Sequence, residues 1–277
     1  MTQNQRVFTP YEQTLLARAG LSHLTPEDVG QQPIEYVVGW VEFCGLKFKV
    51  NPTVLIPRIE TERLVELVMA NVQKKLTSLK PGQRFTVADI GTGSGAIGIS
   101  LMKRLGQANQ KIQLFLSDIS PKALAVAKIN AQNILSKSIA SGKRVCYFGN
   151  LHNSLDVTGA GSSIHLIQSN LFDSFPPKIK IDLLVANLPY IPSGRIDQLD
   201  PSVKNFEPHL ALDGGPDGLR LINRLLCQAP DFLAKDGVIW LEIDESHTLA
   251  QLKNIAPSFE VQIFEDEFDK PRFAKLK

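Results

Sequence analysis

Short apolar runs and longer amphipathic stretches alternate along most of this chain, and the alternation becomes regular from residue 85 onward. Apolar runs of about four to eight residues are typical of buried strands, whereas apolar residues spaced three or four apart are typical of helices. The predicted strands cover residues 85–90, 112–117, 164–168, 181–186, 237–243, 260–264 and 272–276. The predicted helices between them cover residues 96–105, 121–135, 217–233 and 247–255. This alternation predicts an α/β fold with a mainly parallel seven-stranded sheet and an antiparallel edge strand, since the last two strands are close in sequence.

The first 33 residues show weaker periodicity and are predicted to form a short helical N-terminal segment. Residues 11–20 have helical spacing and end in a glycine, which commonly terminates a helix. Thr25-Pro26 is typical of the start of a second helix, because threonine caps the end and proline fits the first position. A segment of this size is too small for a core of its own, so we interpret it as a helical appendage.

Residues 34–56 carry strand signals, and residues 34–57 are predicted to form a β-hairpin linker to the domain at 58–277. The arms at 41–43 and 46–50 flank Cys44-Gly45, which has the spacing of a tight hairpin turn.

A helix is predicted to follow Pro57, with Thr61 as its N-cap and acidic residues in its first turn. The regular alternation is interrupted at 136–163, a polar excursion with a possible strand at 144–148.

Composition narrows the class of protein only slightly. The chain has 277 residues, a net charge of +2 and 43% hydrophobic residues, which is ordinary for a globular protein and neither requires nor excludes a nucleic-acid partner. Cys44, Cys146 and Cys227 are far apart and lack metal-ligand spacing, so we expect reduced thiols in a cytoplasmic protein and no metal site. The N-terminus lacks an apolar signal region and no run approaches roughly 18 apolar residues, so we expect neither secretion nor a membrane span.

A glycine-rich loop, Asp89-Ile90-Gly91-Thr92-Gly93-Ser94-Gly95, joins the strand at 85–90 to the following helix. Glycines at such a junction let a ligand approach the main chain closely. The next strand ends at Asp118, where an acid can accept both ribose hydroxyls of a nucleoside. Loop and acid together predict a nucleotide-like cofactor site. They fit a methyl donor or a dinucleotide equally well, and Asp118 has the alternative role of capping the helix near Pro121.

A second motif, Asn187-Leu188-Pro189-Tyr190, follows the strand at 181–186. The Asn187 side-chain carbonyl and the Leu188 backbone carbonyl can accept both N–H groups of a planar NH2, which would aim its nitrogen at an electrophile. Proline restricts the backbone and tyrosine offers a flat apolar face. The motif therefore predicts methylation of an amide or an exocyclic amine, with an ordinary β-turn as the alternative interpretation.

With these motifs, the chain resembles class I S-adenosylmethionine-dependent methyltransferases that modify amino groups. The flanking sequences resemble the release-factor glutamine methyltransferases (HemK/PrmC) from about residue 33 onward. The segments that carry this closer resemblance are 33–39, 43–48, 54–62, 207–208 and 211–219. The resemblance implies a Rossmann-like fold and methylation of the side-chain amide nitrogen (N5) of the glutamine in the Gly-Gly-Gln motif of peptide chain release factors. S-adenosyl-L-methionine would be the donor and S-adenosyl-L-homocysteine the product.

The resemblance also implies roles for individual residues, with no metal among them. The catalytic residues would be Asn187, Pro189 and Tyr190. The donor would be bound by Asp89, Gly91, Thr92, Gly93, Gly95, Asp118, Ile119, Asn170, Leu171 and Asn187. The substrate would be bound by Asn187, Leu188, Pro189, Tyr190, Arg58, Glu60, Glu207 and Pro208.

Three features depart from the pattern of that family. Leu188 stands where proline is usual, Asn170 replaces the usual acid on the adenine side, and only about 33 residues precede the hairpin. Two alternatives therefore remain: an adenine-N6 methyltransferase acting on rRNA or DNA, and a catalytically degenerate binding protein on the same scaffold.

Overall fold

The computed structural model describes residues 6–77, 79, 83–106, 111–135, 155–156 and 162–277 of the chain. The possible strand predicted at 144–148 lies outside the described residues, as does most of the predicted excursion around it.

Helices and strands alternate through most of the described part of the chain. The helices are α1 (Pro10–Arg18), α2 (Pro26–Val29), α3 (Ile34–Val38), α4 (Ile59–Thr77), α5 (Ala96–Leu105), α6 (Pro121–Leu135), α7 (Pro201–Lys204), α8 (Arg220–Phe232) and α9 (Leu249–Ile255). The strands are β1 (Trp40–Phe43), β2 (Leu46–Lys49), β3 (Arg84–Ile90), β4 (Lys111–Asp118), β5 (Leu155–Asp156), β6 (Ser163–Gln168), β7 (Ile181–Ala186), β8 (Ile191–Pro192), β9 (Asp213–Gly215), β10 (Leu233–Glu242), β11 (Val261–Glu265) and β12 (Pro271–Leu276). Short 3₁₀ helices occupy Ser193–Gln198 and His209–Ala211.

The main sheet has the strand order β11-β12-β10-β7-β3-β4-β6-β5. The five strands from β10 to β6 are mutually parallel, which confirms the predicted α/β class. Strand β12 runs antiparallel between β10 and β11, so the two closing strands pair as expected. The predicted seven strands are all present, and β5 adds a two-residue antiparallel strand at the opposite edge.

The two faces of the sheet support two separate apolar cores because successive side chains of a strand point to opposite sides. In β3, Phe85 and Val87 pack in one core with residues of α4, α5 and α6. Ala88 and Ile90 pack in the other core with residues of α8 and α9. Since the central strands are parallel and covered on both faces, their carboxyl ends all lie at the same end of the sheet. Open α/β sheets bind their ligands beyond that end.

The N-terminal segment folds as α1 and α2, each with a capping box formed by a threonine and an acid three positions later. The predicted helix at 11–20 is confirmed and its last helical residue is Arg18. Leu15 and Leu16 of α1 pack in a small third cluster with Val29.

Residues 34–38 form helix α3, so the prediction of strand structure across all of 34–56 is wrong at its start. Their β-branched residues favour a strand locally. The helix prevails because Pro33 precedes its first residue and Gly39, with φ of 79°, ends it in the left-handed region. Burial of Ile34 and Tyr36 adds tertiary stabilisation, and the Tyr36 hydroxyl donates to the Val54 carbonyl over 2.6 Å.

The predicted hairpin is confirmed, with Phe43 of β1 opposite Leu46 of β2. Cys44 and Gly45 both have positive φ, at 52° and 72°, as a two-residue type I′ turn requires.

Helix α4 begins at Ile59, so the prediction that Thr61 is its N-cap is wrong. Thr61 lies within the first turn and is 3% exposed. Its hydroxyl donates to Glu242 Oε2 over 2.7 Å, so it binds a buried carboxylate at the end of β10 rather than capping the helix.

Candidate active site

A cavity of about 210 Å³ opens at the carboxyl ends of the central strands. Many of the residues predicted from the sequence line it, each at or just after a strand end. These are Gly91, Thr92, Gly93, Asp118, Ile119, Asn170, Leu171, Asn187, Leu188 and Pro189, together with Pro208 from the opposite wall. The predicted residues that do not line it are Asp89, Gly95, Tyr190, Arg58, Glu60 and Glu207.

The glycine loop presents bare backbone to this cavity. Gly91, Gly93 and Gly95 have φ of 72°, 53° and 83°, a region that other residues rarely adopt. A Cβ at Gly91 would lie 2.8 Å from Cδ2 of Leu188, so the loop and the second motif are in close contact. The loop therefore brings main-chain groups to the cavity wall beside Leu188.

Asp118 ties the glycine loop to the end of β4. Its Oδ2 accepts from the Gly93 amide over 2.9 Å and its Oδ1 accepts from the Ser120 amide over 2.8 Å. The helix-cap alternative for Asp118 fails, because Ser120 Oγ accepts from the Ala123 amide and so caps α6. Burial raises the pKa of Asp118, while hydrogen bonds from backbone amides oppose the rise. Asp118 lines the cavity, and its carboxylate retains lone pairs for a ligand hydroxyl.

Asp89 lies behind the loop and is buried. Its Oδ2 accepts from Thr92 Oγ1 over 2.7 Å and from the Gly98 amide over 2.9 Å. Oδ1 has no hydrogen-bond partner among the described residues. Burial raises the pKa of Asp89 to about 6. Asp89 therefore shapes the loop from behind.

The far end of the cavity is formed by Ile119, Asn170 and Leu171. Leu171 is buried and has φ of 57°, which costs a residue other than glycine on the order of 1–2 kcal/mol. The Ser169 amide donates to the Asp118 carbonyl over 3.0 Å and links this turn to β4. Ile119 and Leu171 thus give this part of the cavity two apolar side chains, and Asn170 gives it one amide.

At the near end of the cavity, Asn187 is held by a residue that the sequence analysis missed. Asn187 Nδ2 donates to Glu242 Oε2 over 3.0 Å and to Thr61 Oγ1 over 3.3 Å. The Tyr190 hydroxyl donates to Glu242 Oε1 over 2.9 Å. Glu242 is 1% exposed, and its burial raises its pKa.

This network determines which end of the Asn187 amide faces the ligand. A carboxylate can only accept hydrogen bonds, so the NH2 of Asn187 must face Glu242 and the carbonyl must point away from it. The signal that could have revealed Glu242 was an acid at the end of a predicted strand, where open α/β sheets place their ligand site.

The glycine-rich segment at 213–218, after the 3₁₀ helix at His209–Ala211, packs against the motif at 187–190. A Cβ at Gly214 would lie 2.7 Å from the Pro189 carbonyl oxygen, and one at Gly218 would lie 2.1 Å from that of Tyr190. These contacts explain why glycines occupy this segment. The segment braces the backbone that carries Asn187.

Arg58 and Glu207 contact each other rather than the cavity. Arg58 NH2 lies 2.5 Å from Glu207 Oε1, and the Ile56 amide donates to Glu207 Oε2 over 3.1 Å. Both residues line a second cavity of about 270 Å³ beside the N-terminal helices. Their neighbours Pro57 and Pro208 line the first cavity, so the ion pair holds two of its walls together.

Two kinds of feature are absent from the described part of the chain. No helix there has the length and apolar character of a membrane span. No group of three or more histidine, cysteine or acidic side chains is placed to hold a metal ion.

Among solved structures, the fold is similar to that of hMettl16. The catalytic domain of hMettl16 in complex with MAT2A 3'UTR hairpin 1 has a TM-score of 0.58 at 16% identity, over 85% of this chain and 76% of that one. The N-terminal domain of human METTL16 has a TM-score of 0.52 at 15% identity, over 84% of this chain and 75% of that one. At these identities the likeness shows the fold alone.

No protein-family model matches the chain, but curated relatives align with most of it. The release factor glutamine methyltransferase of Moorella thermoacetica is 39% identical over 76% of this chain and 62% of its own length. That of Lactococcus lactis is 35% identical over 89% of this chain and 77% of its own length. The human MTRF1L release factor glutamine methyltransferase is 32% identical over 82% of this chain and 60% of its own length. The chain thus spans about three fifths of the Moorella and human proteins and more of the Lactococcus one. On these alignments, the chain belongs to the release factor glutamine methyltransferase family.

Proposed function

We propose that this protein transfers a methyl group from S-adenosyl-L-methionine to the side-chain amide nitrogen (N5) of a glutamine in the Gly-Gly-Gln motif of a peptide chain release factor. The observation that carries the proposal is the fixed orientation of Asn187. Its NH2 is bound to Glu242, which leaves its carbonyl free to accept from a substrate NH2 at the cavity. The names of the sequence relatives favour an amide substrate over the adenine alternative.

The cavity residues fit the proposed donor. The open backbone at Gly91 and Gly93 suits the methionine portion, since no side chain obstructs its approach. Asp118 would accept the ribose hydroxyls, as it lines the cavity at the end of β4. Ile119 and Leu171 would flank the adenine, and Asn170 would meet its polar edge. When bound, the donor would supply an electrophilic methyl group on a sulfonium. As the N–C bond formed and the S–C bond broke, S-adenosyl-L-homocysteine would leave and the amide nitrogen would release one proton to water.

The protein's own contribution to the reaction is orientation. The Asn187 side-chain carbonyl and the Leu188 backbone carbonyl would each accept one N–H of the substrate amide. Two acceptors aim the nitrogen at the methyl group and draw its lone pair out of conjugation, so they stabilise the transition state more than the ground state. Pro189 would limit backbone movement, and the glycine-rich segment at 213–218 braces the same peptide bonds.

Methyl transfer with a labelled donor tests this function. The chain is incubated with labelled S-adenosylmethionine and a release factor, with a matched factor whose Gly-Gly-Gln glutamine is replaced by alanine, and with ribosomal RNA. We expect label on the unaltered factor and background levels on the other two substrates. Label on RNA with none on protein would establish the adenine alternative. Absence of donor binding in calorimetry would favour the binding-protein alternative.

The cytoplasmic location indicated by the cysteine usage stays a prediction.

A further inference from the structure

Glu242 is a buried acid that receives three side-chain hydrogen bonds, two of them from the cavity residues Thr61 and Asn187. Oε2 accepts from Thr61 Oγ1 over 2.7 Å and from Asn187 Nδ2 over 3.0 Å, and Oε1 accepts from the Tyr190 hydroxyl over 2.9 Å. The three donors come from helix α4 and from the motif after β7. Glu242 itself ends β10, so one carboxylate joins three elements.

All three bonds depend on Glu242 acting only as an acceptor. With a carboxylate at position 187, two hydrogen-bond acceptors would face each other. The amide of asparagine instead offers its NH2 as a donor to Glu242. We propose that Glu242 is a positioning residue whose carboxylate requires asparagine rather than aspartate at position 187 and fixes the outward direction of the Asn187 carbonyl. The inference rests on the proposed function only in its consequence for methyl transfer, because the pairing itself is a property of the fold.

Other charged groups also face this carboxylate. Arg272 of β12 is a favourable neighbour and Glu60 of α4 an unfavourable one, while burial has the largest effect and raises the pKa of Glu242. Tyr190 faces the same acid, and the pKa of its hydroxyl is raised by burial and by Glu242. Any pH-dependent experiment therefore needs a control at Glu60, which is close in space but makes no hydrogen bond to Asn187.

Exchanging the amide and the carboxylate between positions 187 and 242 separates the effect of their hydrogen bond from the effect of burial. Asn187→Asp places two carboxylates within about hydrogen-bond distance in a buried site, where like charges strongly disfavour each other. Glu242→Gln alone keeps an oxygen for Asn187 and Thr61 and can turn its NH2 toward the Tyr190 oxygen. The double variant Asn187→Asp/Glu242→Gln again pairs an amide with a carboxylate. The donor then lies at position 242 and the acceptor at position 187. This variant also leaves a free carboxylate oxygen facing the cavity.

The experiment measures methyl transfer and thermal unfolding for the wild type, both single variants and the double variant. The control Asn187→Asp/Glu60→Gln is measured in thermal unfolding alone, because Glu60 is itself a predicted substrate-binding residue. We expect Asn187→Asp to lose about 100-fold in the rate of transfer, as a misplaced reacting group does. The double variant should recover about tenfold of that loss, which lies within the coupling of contacting residues. In thermal unfolding the Glu60 control should recover no stability, because it lowers the negative charge without supplying a donor.

Unfolding midpoints from about pH 5 to about pH 8 provide a readout that needs no substrate. The paired carboxylates of Asn187→Asp would have a folded pKa above the unfolded value, so its stability should fall relative to wild type as pH rises. The double variant should lack this pH-dependent loss, and the Glu60 control should retain it.

The outcomes distinguish the two proposals. Equal defects of Asn187→Asp and the double variant in both assays, or equal rescue by the Glu60 control, would overturn the positioning role. A wild type that transfers nothing to the release factor, together with the expected unfolding results, would refute the proposed function and leave the pairing standing.

Discussion

At the scale of single residues, Gly91 shows how closely the two motifs approach each other. Gly91→Ala should weaken donor binding about tenfold, because φ of 72° costs a Cβ-bearing residue on the order of 1–2 kcal/mol and the new methyl group would press on Leu188. Calorimetric titration with S-adenosylmethionine measures the change.

Gly93→Ala is the matched control, since it has φ of 53° and nothing within 4 Å of the added Cβ. We expect a smaller loss there, and partial recovery when Gly91→Ala is combined with Leu188→Ala. Equal losses at the two glycines would mean that backbone strain alone, and not the contact with Leu188, determines the effect.

Asn187 is the residue on which the proposed chemistry most depends. Asn187→Ala should lower the rate of methyl transfer by about 100-fold, on the order of an orientation effect, while donor affinity stays nearly unchanged. Single-turnover transfer and donor titration separate the two quantities. A loss of donor affinity as large as the loss of rate would show that Asn187 belongs to the donor site.

The sequence identified the residues of this site that sit in local motifs and missed one that does not. Asp118, Asn187 and the glycines stand directly after predicted strands, so their neighbourhood follows from the parallel order of the sheet. Glu242 contacts Asn187 across 55 positions of sequence, and only the pairing of β10 with β7 brings the two together. The roles assigned to the site residues all stay predictions, and Arg58, Glu60 and Glu207 lie outside the main cavity.

At the scale of elements, Asn130 joins helix α6 to two other parts of the fold. Its Nδ2 donates to the carbonyls of Lys49 over 3.0 Å and Ser94 over 2.8 Å, and its Oδ1 accepts from the Lys49 amide over 2.7 Å. The hairpin and the glycine loop therefore share one buried amide side chain.

Asn130→Ala should destabilise the protein by about 2–4 kcal/mol, since it leaves several backbone groups without partners. Urea unfolding measures this, and Asn133→Ala, at an exposed position of the same helix, should change stability by less than about 0.5 kcal/mol. Similar effects at both positions would indicate a general sensitivity of α6 rather than loss of the link.

Where the sequence misjudged elements, tertiary contacts overrode local preference. The β-branched residues at 34–38 suggested a strand, but Pro33 and Gly39 delimit a helix whose buried residues pack against the rest of the fold. Thr61 suggested a helix cap, but a carboxylate more distant in sequence uses its hydroxyl.

At the scale of the whole molecule, the strand–helix alternation was enough to predict the class of sheet. Parallel strands need crossover helices, and right-handed crossovers leave few topologies open. The strand order itself was not predicted, because it depends on which long-range pairings bury the two cores. The division into segments 1–33, 34–57 and 58–277 stays a prediction.

The buried acid Asp89 makes a prediction for the stability of the whole protein. Its pKa of about 6 lies above the ordinary value of 3.8, so the folded state holds a proton that the unfolded state releases over this interval. Stability from this group is therefore present at low pH and is lost as pH rises from about 4 to about 6, by about 3 kcal/mol. Asp89→Asn removes the titration, although its NH2 adds a constant cost at the unpartnered Oδ1 position.

The difference in unfolding free energy, variant minus wild type, should consequently increase between about pH 4 and about pH 7 and be flat above. Subtraction cancels the contributions of acids that do not interact with Asp89; Asp118 is the exception, because its charge raises the pKa of Asp89. Urea titrations of the two proteins across this range measure the difference. If the unfolding free energies of the two proteins change in parallel with pH, the pKa of Asp89 is not raised in the folded protein. Asp89 Oδ1 would then have to contact water behind the glycine loop.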